Sequence, residues 1–358
     1  MRDTMQFIEY LGEQAKRHPS TEPLDVIKLC YQAAFGAEHL LEDKEPALRY
    51  LTQEYDQIQP DGTEPLYEAI SEDVCRVNLK AWKSRNLPLE WLFLMFVETA
   101  SRPPQGGREM FQECLRDAGK LAQENGFGFD REKWEEFLKD YPVEKPEAVH
   151  HSEVYRRTEK PAYRLVCSRF IRMFPVLEAI CADGGFQVRR EKYVVAVDGR
   201  CASGKTTLAE QLAAVTGAGV VHMDDFFLPQ ELRTEERLNE PGGNVHYERF
   251  CEEVLPAIKH GGSFSYRRFD CGRMEFGEER QVHGSWILIV EGAYSCNPKI
   301  GDYMTLRVFS DIGGREQLQR IAARDGEEAL ENFITRWIPM EESYFTAYRI
   351  REHADVVI

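Results

Sequence analysis

Two rhythms of apolar residues divide the chain near residue 185. Before that point apolar positions recur at helical spacing. Val26, Ile27, Cys30, Tyr31 and Ala34 form one stripe, after a start signal at Ser20 or Thr21 and with Pro23 in the first turn. The same spacing predicts helices over about 4–17, 36–57, 64–84, 88–100, 107–124 and 131–139. Another is predicted over 161–182, ended or kinked by Pro175. Alternating strand patterns are nearly absent, so residues 1–185 read as an all-helical domain.

After residue 190 the rhythm changes to strand, loop, helix. Short apolar runs occur at Tyr193–Val197, Gly219–Met223, Trp286–Val290, Met304–Phe309 and Asp355–Ile358. Helical stretches lie between them at about 205–216, 246–259, 314–324 and 327–349. Continuous apolar strands alternating with helices predict a doubly wound α/β fold, with a parallel sheet covered on both faces. The polar, glycine-containing segment Asp183–Arg190 is the predicted linker, giving domains at 1–185 and 190–358.

Chemistry enters with Gly199-Arg-Cys-Ala-Ser-Gly-Lys-Thr206, which matches G-x-x-x-x-G-K-[ST]. A predicted strand runs into it and a predicted helix leaves it, the context that the phosphate loop requires. Its backbone N–H groups and the helix N-terminus favour phosphate oxygens. Gly199, Ala202, Ser203, Gly204, Lys205, Thr206 and Thr207 are the candidate contacts to ATP. Lys205 is expected to reach the β- and γ-phosphates and Thr206 to ligate Mg2+. Cys201 lies inside the loop, either as a thiolate favoured by the helix N-terminus or as a residue small enough for the turn.

Three further groups fall at strand or helix ends facing such a loop. Asp224 follows the second strand, where a carboxylate can take a proton from an attacking hydroxyl. Glu291 follows the third, as the partner of a magnesium-bound water would. Arg320 and Arg324, one turn apart, share a helix face and can close over phosphates. The N-K-x-D motif that reads guanine is absent.

Composition narrows the partners. The formal charge of −16 repels phosphate backbones, so nucleic acid is not expected. No stretch nears the ~20 apolar residues of a membrane span, and no signal peptide is expected. Nine cysteines without a C-x-x-C pair suggest reduced thiols in a cytoplasmic protein.

Together these residues resemble the uridine kinase-like family of P-loop kinases. The resemblance covers about 190–358 and rests on Asp198–Thr207, Met223-Asp-Asp-Phe-Phe227, Ile289-Val-Glu-Gly292, Trp337–Phe345 and Ala354–Ile358. It implies that Asp224 is the catalytic aspartate and that Arg320 and Arg324 are lid arginines. The segment Asn239–Phe250 resembles the family's sugar-recognition segment, with His246 where an aspartate normally holds the ribose hydroxyls. A neutral imidazole accepts one hydroxyl where a carboxylate accepts two, which puts uridine in doubt. Tyr266, Arg268 and Asp270 are expected on the same acceptor side.

The first half concentrates His, Tyr and Arg in His150–Arg157, Pro161–Arg164 and Phe35–His39. An interdomain hydrogen-bond cluster is expected of His150 and His151, rather than a metal site. The leading expectation is a kinase using ATP and Mg2+ on a small hydroxylated acceptor, without nucleic acid or membrane partners. A homo-oligomer stays open. So do a nucleotide-sensing regulator and an ATPase whose helical half binds a partner.

Overall fold

The computed structural model describes residues 6–37, 43–102, 104–182 and 192–358. They fall into two units, Met1–Ile171 and Arg172–Ile358.

In the first unit, helices α1 (Phe7–Arg17), α2 (Pro23–Phe35) and α3 (Lys44–Gln57) precede strands β1 (Tyr67–Ala69) and β2 (Val74–Asn78). Then come α4 (Leu79–Ser84), α5 (Leu89–Ala100), α6 (Gly107–Gln123), α7 (Arg131–Asp140), α8 (Glu153–Thr158) and strand β3 (Tyr163–Cys167). Helix α2 begins with proline at its first position, and Glu22 and Asp25 cap each other's backbone N–H groups. Its predicted stripe is the buried one: Val26, Ile27, Cys30 and Ala34 are inaccessible to solvent. The stripe packs on α6, which buries Phe111, Cys114 and Ala118. Each fully buried large side chain in such a seam stabilises by about 1.5–3 kcal/mol.

This unit is not all-helical. The predicted helix over 64–84 is instead β1, β2 and the short α4, and the first part of the one over 161–182 is β3. The three strands form an antiparallel sheet in the order β1-β2-β3. Central β2 is buried from Val74 to Val77, so it lacks the polar–apolar alternation of a half-exposed strand. A short apolar run of that kind cannot be told from a helix by periodicity.

The expected interdomain cluster closes within this unit. His151 Nδ1 lies 2.7 Å from Asp25 Oδ1, and Nε2 lies 2.7 Å from the Tyr163 hydroxyl. Gln32 joins Tyr163 to buried Arg76, whose Nε and Nη2 both donate to Gln32 Oε1 at 3.0 and 2.7 Å. His39 lies outside the described residues.

The second unit starts earlier than the sequence suggests. Helix α9 (Phe174–Ala182), assigned by periodicity to the first half, buries Phe174, Val176, Leu177 and Ile180 and packs on strands of the second. Arg172 donates to Ser203 O at 2.8 Å and to Ser310 Oγ at 3.0 Å. The division therefore lies ahead of α9, and the predicted linker Asp183–Arg190 lies outside the described residues.

Beyond it come β4 (Tyr193–Gly199), α10 (Lys205–Thr216), β5 (Gly219–His222), α11 (Glu235–Asn239), α12 (Tyr247–Glu253) and α13 (Leu255–His260). A hairpin of β6 (Phe264–Asp270) and β7 (Glu275–Val282) follows, then β8 (Ile287–Glu291) and β9 (Leu306–Ser310). Helices α14 (Gly314–Asp325), α15 (Glu327–Asn332) and α16 (Ile338–Tyr348), with a π-helical turn Phe333–Trp337, lead to β10 (Val356–Val357). All five predicted strands form one parallel sheet, in the order β10-β9-β4-β8-β5. The β6–β7 hairpin was not expected, because most of β7 is exposed and charged. Among the described residues no helix is long and apolar enough to cross a membrane.

Burial, reinforced by the charges of Arg76 and Lys28, lowers the His151 imidazole from 6.5 to about 4, although Asp25 opposes the shift. Folding thus favours neutral His151. Its contribution is complete above pH 6.5 and is lost as the pH falls towards 4. The shift corresponds to about 3 kcal/mol. Thermal unfolding from pH 7.5 to 4 should show the stability of the His151→Asn protein falling less steeply than that of the wild type. Parallel curves would show that His151 does not titrate with folding.

Candidate functional site

The site forms where β4, β5 and β8 end beside one another. β4 closes on Asp198, which is wholly buried. Its Oδ1 accepts from the N–H groups of Gly199 at 2.7 Å and Tyr294 at 3.1 Å. Its Oδ2 accepts from Cys296 N–H at 2.9 Å and the Tyr344 hydroxyl at 2.8 Å. Gly199 follows at φ +133°, where an added Cβ would lie 2.1 Å from Ser310 O. Only glycine lets the chain turn there.

The loop then runs through Ala202, in the left-handed region at φ +59°, into the N-terminus of α10. Lys205 Nζ donates to Gly199 O and Arg200 O, each at 2.8 Å, which folds the ammonium into the loop. Thr206 Oγ1 donates to Glu291 Oε2 at 3.1 Å, and His222 Nδ1 lies 2.5 Å from Glu291 Oε1. Gly292 follows Glu291 at φ +131°, where a Cβ would lie 2.9 Å from Met223 Cβ and 3.3 Å from Asp224 Oδ1. That close approach brings the end of β8 against the end of β5.

A cavity of about 610 Å³ opens over the loop. Lys205, Thr206, Thr207, Asp224, Glu291, Arg320 and Arg324 all line it, so residues spread over 120 positions of sequence converge. Arg320 Nη1 donates to Ala202 O at 3.2 Å, while Arg324 pairs with Asp325 at 2.9 Å. Asp224 is accessible to solvent yet walled by protein. Desolvation in the cleft raises its pKa; Lys205 opposes the rise, and Glu291 and Asp225 add to it.

The cradle fits a triphosphate and its metal on three counts. Ser203 Oγ is buried without a hydrogen-bond partner among the described residues. The first N–H groups of α10 have no intrahelical acceptor. Thr206 and Glu291 set a hydroxyl and a carboxylate side by side, oxygen donors of the kind magnesium takes.

Cys201 is not an activated thiol. Burial, then the neighbouring Glu341 carboxylate, pushes it up to about 12, outweighing Lys205. Glu341 Oε2 accepts from Cys201 N–H at 2.9 Å, so this residue serves the turn.

The expected acceptor residues do not line the cavity. His246 caps α12, its Nδ1 accepting from Arg249 N–H at 3.2 Å. Tyr266 is buried and donates to Asp225 Oδ2 at 2.9 Å. Arg268 pairs with Asp225 at 3.5 Å, and Asp270 Oδ1 accepts from Gly272 N–H in the hairpin turn at 2.9 Å. In their place the cavity presents Arg233, Asn244, Cys271, Phe333, Arg336 and Trp337. Asn244 Oδ1 is buried and unpartnered among the described residues. Three of the six sit on the π-helical turn, a distortion that gathers side chains normally spread around a helix. Nothing in the periodicity marks that turn; Trp337 alone belonged to a segment carrying the resemblance.

Sheet order, loop and converging side chains decide the architecture. The second unit has a P-loop kinase-type α/β fold. Solved structures to which the chain is similar include a "Possible Uridine Kinase" from Bacillus stearothermophilus, 20% identical, covering 50% of this chain and 96% of that one at a TM-score of 0.39. A "putative fructose transport system kinase" from Silicibacter sp. TM1040 is likewise 20% identical, covering 50% and 97% at a TM-score of 0.39. No protein-family model and no curated protein sequence matches the chain.

With its thiol pushed up to about 12, Cys201 should alkylate with iodoacetamide at pH 7.5 roughly 100-fold or more slowly than glutathione. Peptide mass spectrometry over a time course measures this. A rate equal to that of glutathione would restore the reactive reading.

Proposed function

We propose that the chain is a kinase that transfers the γ-phosphate of ATP, with magnesium, to a hydroxyl of a small acceptor. One observation carries this reading. Of the carboxylates around Lys205, Asp198 accepts four hydrogen bonds, Glu291 is shared by Thr206 and His222, and Glu341 holds Cys201 N–H. Asp224 accepts none from the protein among the described residues, and it faces the cavity. An acid left unengaged beside a phosphate loop is free to take a proton.

In this reading Thr206 and Glu291 hold magnesium, which neutralises charge on the phosphates when bound. Lys205 leaves its loop carbonyls for phosphate oxygens. Arg320 and Arg324 meet charge that develops during transfer. Asp224 orients the acceptor hydroxyl and takes its proton, and a raised pKa makes it a stronger base than an exposed aspartate. A nucleotide sensor needs no such base, and an ATPase would release ADP without an acceptor.

His246 does not line this cavity, so in this reading the acceptor's class rests on other groups. Arg233, Arg336 and Asn244 are the groups left to read the acceptor.

Asp224→Asn should leave ATP–Mg affinity within a few-fold and lower acceptor-dependent ADP release by about 100-fold or more. Calorimetry and an ADP-release screen against nucleosides, sugars and small alcohols test the pair. Parallel loss of affinity would make Asp224 a metal-shell residue, and unchanged turnover would remove it from the mechanism. Lys205→Ala should lower turnover by about 100-fold to 1,000-fold in a protein that still folds. Near-normal ADP production by that protein would refute the kinase reading.

A further inference from the structure

The first unit holds a second cavity of about 610 Å³, built on strand β2 and the segment before β3. Its lining carries five permanent cations, Arg17, Arg76, Lys80, Arg85 and Lys160, against the carboxylates Glu64, Glu68 and Glu159. Two of those carboxylates are already engaged. His18 bridges Glu68 at 3.0 Å and Glu159 at 3.2 Å, and Gln14 also donates to Glu68 at 2.9 Å. Against burial, these bonds draw Glu68 down to about 2.

Three of the cations form no ion pair among the described residues, although Arg76 also helps to draw Glu68 down. Arg76 is 3% exposed, yet its guanidinium donates only to the amide oxygen of Gln32 and stacks over Tyr163 at 4.4 Å. No carboxylate lies within ion-pair distance of it among the described residues. The ammonium groups of Lys80 and Lys160 form no hydrogen bond or ion pair among those residues, and both side chains also line an adjoining cavity that includes Lys28. Lys28 donates to Val149 O at 2.7 Å. Lys160 stands at φ +47° immediately before Pro161, a conformation that the following proline disfavours.

A buried cation without a counter-ion is costly, and a chain with 61 acidic residues has no shortage of carboxylates to place beside it. Here positive charge is instead gathered around an open cavity. We propose that this cavity binds a small ligand bearing a compact, doubly charged oxyanion, a phosphate ester or a dicarboxylate, through Arg76, Lys80 and Lys160. The Asp25–His151–Tyr163–Gln32 chain holds Arg76 in place, so the guanidinium is fixed before the ligand arrives. This inference stands apart from the kinase reading and requires no turnover.

The test uses the full chain carrying Lys205→Ala, so that the phosphate loop contributes little anion binding. Pyrophosphate and malonate serve as probes, in a thermal-unfolding titration and in calorimetry. One or both should raise the unfolding temperature by roughly 2–4 °C at saturation. The stronger arm tells a phosphate ester from a dicarboxylate. Adding Lys80→Ala and Lys160→Ala, neither of which removes a side-chain hydrogen bond or ion pair among the described residues, should weaken that probe at least ten-fold, and Lys80→Arg should retain it. No binding of either probe to the Lys205→Ala protein overturns the proposal. Equal binding after both further substitutions places the anion elsewhere and overturns it too.

Discussion

The arrangement of the second unit depends on one buried carboxylate. Asp198 sits at the end of the central strand β4, inaccessible to solvent, with four hydrogen bonds donated to it. Those donors come from three places: the entry to the phosphate loop, the turn after β8, and helix α16. Burial pushes the carboxyl up, while bonds from Cys296, Tyr344 and Gly199 pull it back. A buried carboxylate left short of donors costs several kcal/mol, so the three segments are tied to a common point. The positions of Lys205 on the loop and Glu341 on α16 both follow from it.

Electrostatics then distributes a negative chain into locally positive volumes. The net charge of −16 would oppose binding of any anion at long range, and salt screening confines that repulsion to about 10 Å or less at physiological strength. Within the two cavities the lining is cation-rich. Over the loop, Lys205, Arg233, Arg320, Arg324 and Arg336 face Asp224, Glu291 and Glu341. Each of these acids but Asp224 accepts a hydrogen bond from a neighbour among the described residues.

Most of the second unit was legible because its signals are local. A continuous apolar strand, a glycine-rich turn and a helix start lie within 24 residues, and the fold must place such a loop at the carboxyl ends of parallel strands. That Asp224 and Glu291 lie beside the loop was legible for the same reason: each stands at the end of a strand of that sheet. The rest of the cavity lining was not, because it comes from a π-helical turn and from loops. Periodicity says nothing about those. His246, aligned by motif, caps a helix through Nδ1 and does not line the cavity. In the first unit, the buried strand β2 carries no alternation, so its sheet was invisible to a reading by period.

The same strand explains why the cationic cavity escaped notice. Arg76 lies between Cys75 and Val77, which are both fully buried, and in sequence it resembles a solvated charge in an apolar run. Its environment emerges only when antiparallel pairing sets Arg76 opposite Leu165 and brings Tyr163, on the same strand as Leu165, over its guanidinium. Residues i and i+2 of a strand share a face, so Leu165 opposite Arg76 and Tyr163 two positions away lie on one side of the sheet. That side is where α2 supplies Gln32, and Tyr163 in turn meets His151. An arginine in the middle of a buried strand is therefore held by groups from three separate stretches of chain. Such an assembly fixes the direction of a charge, and a fixed charge without an ion-pair partner is suited to binding an anion.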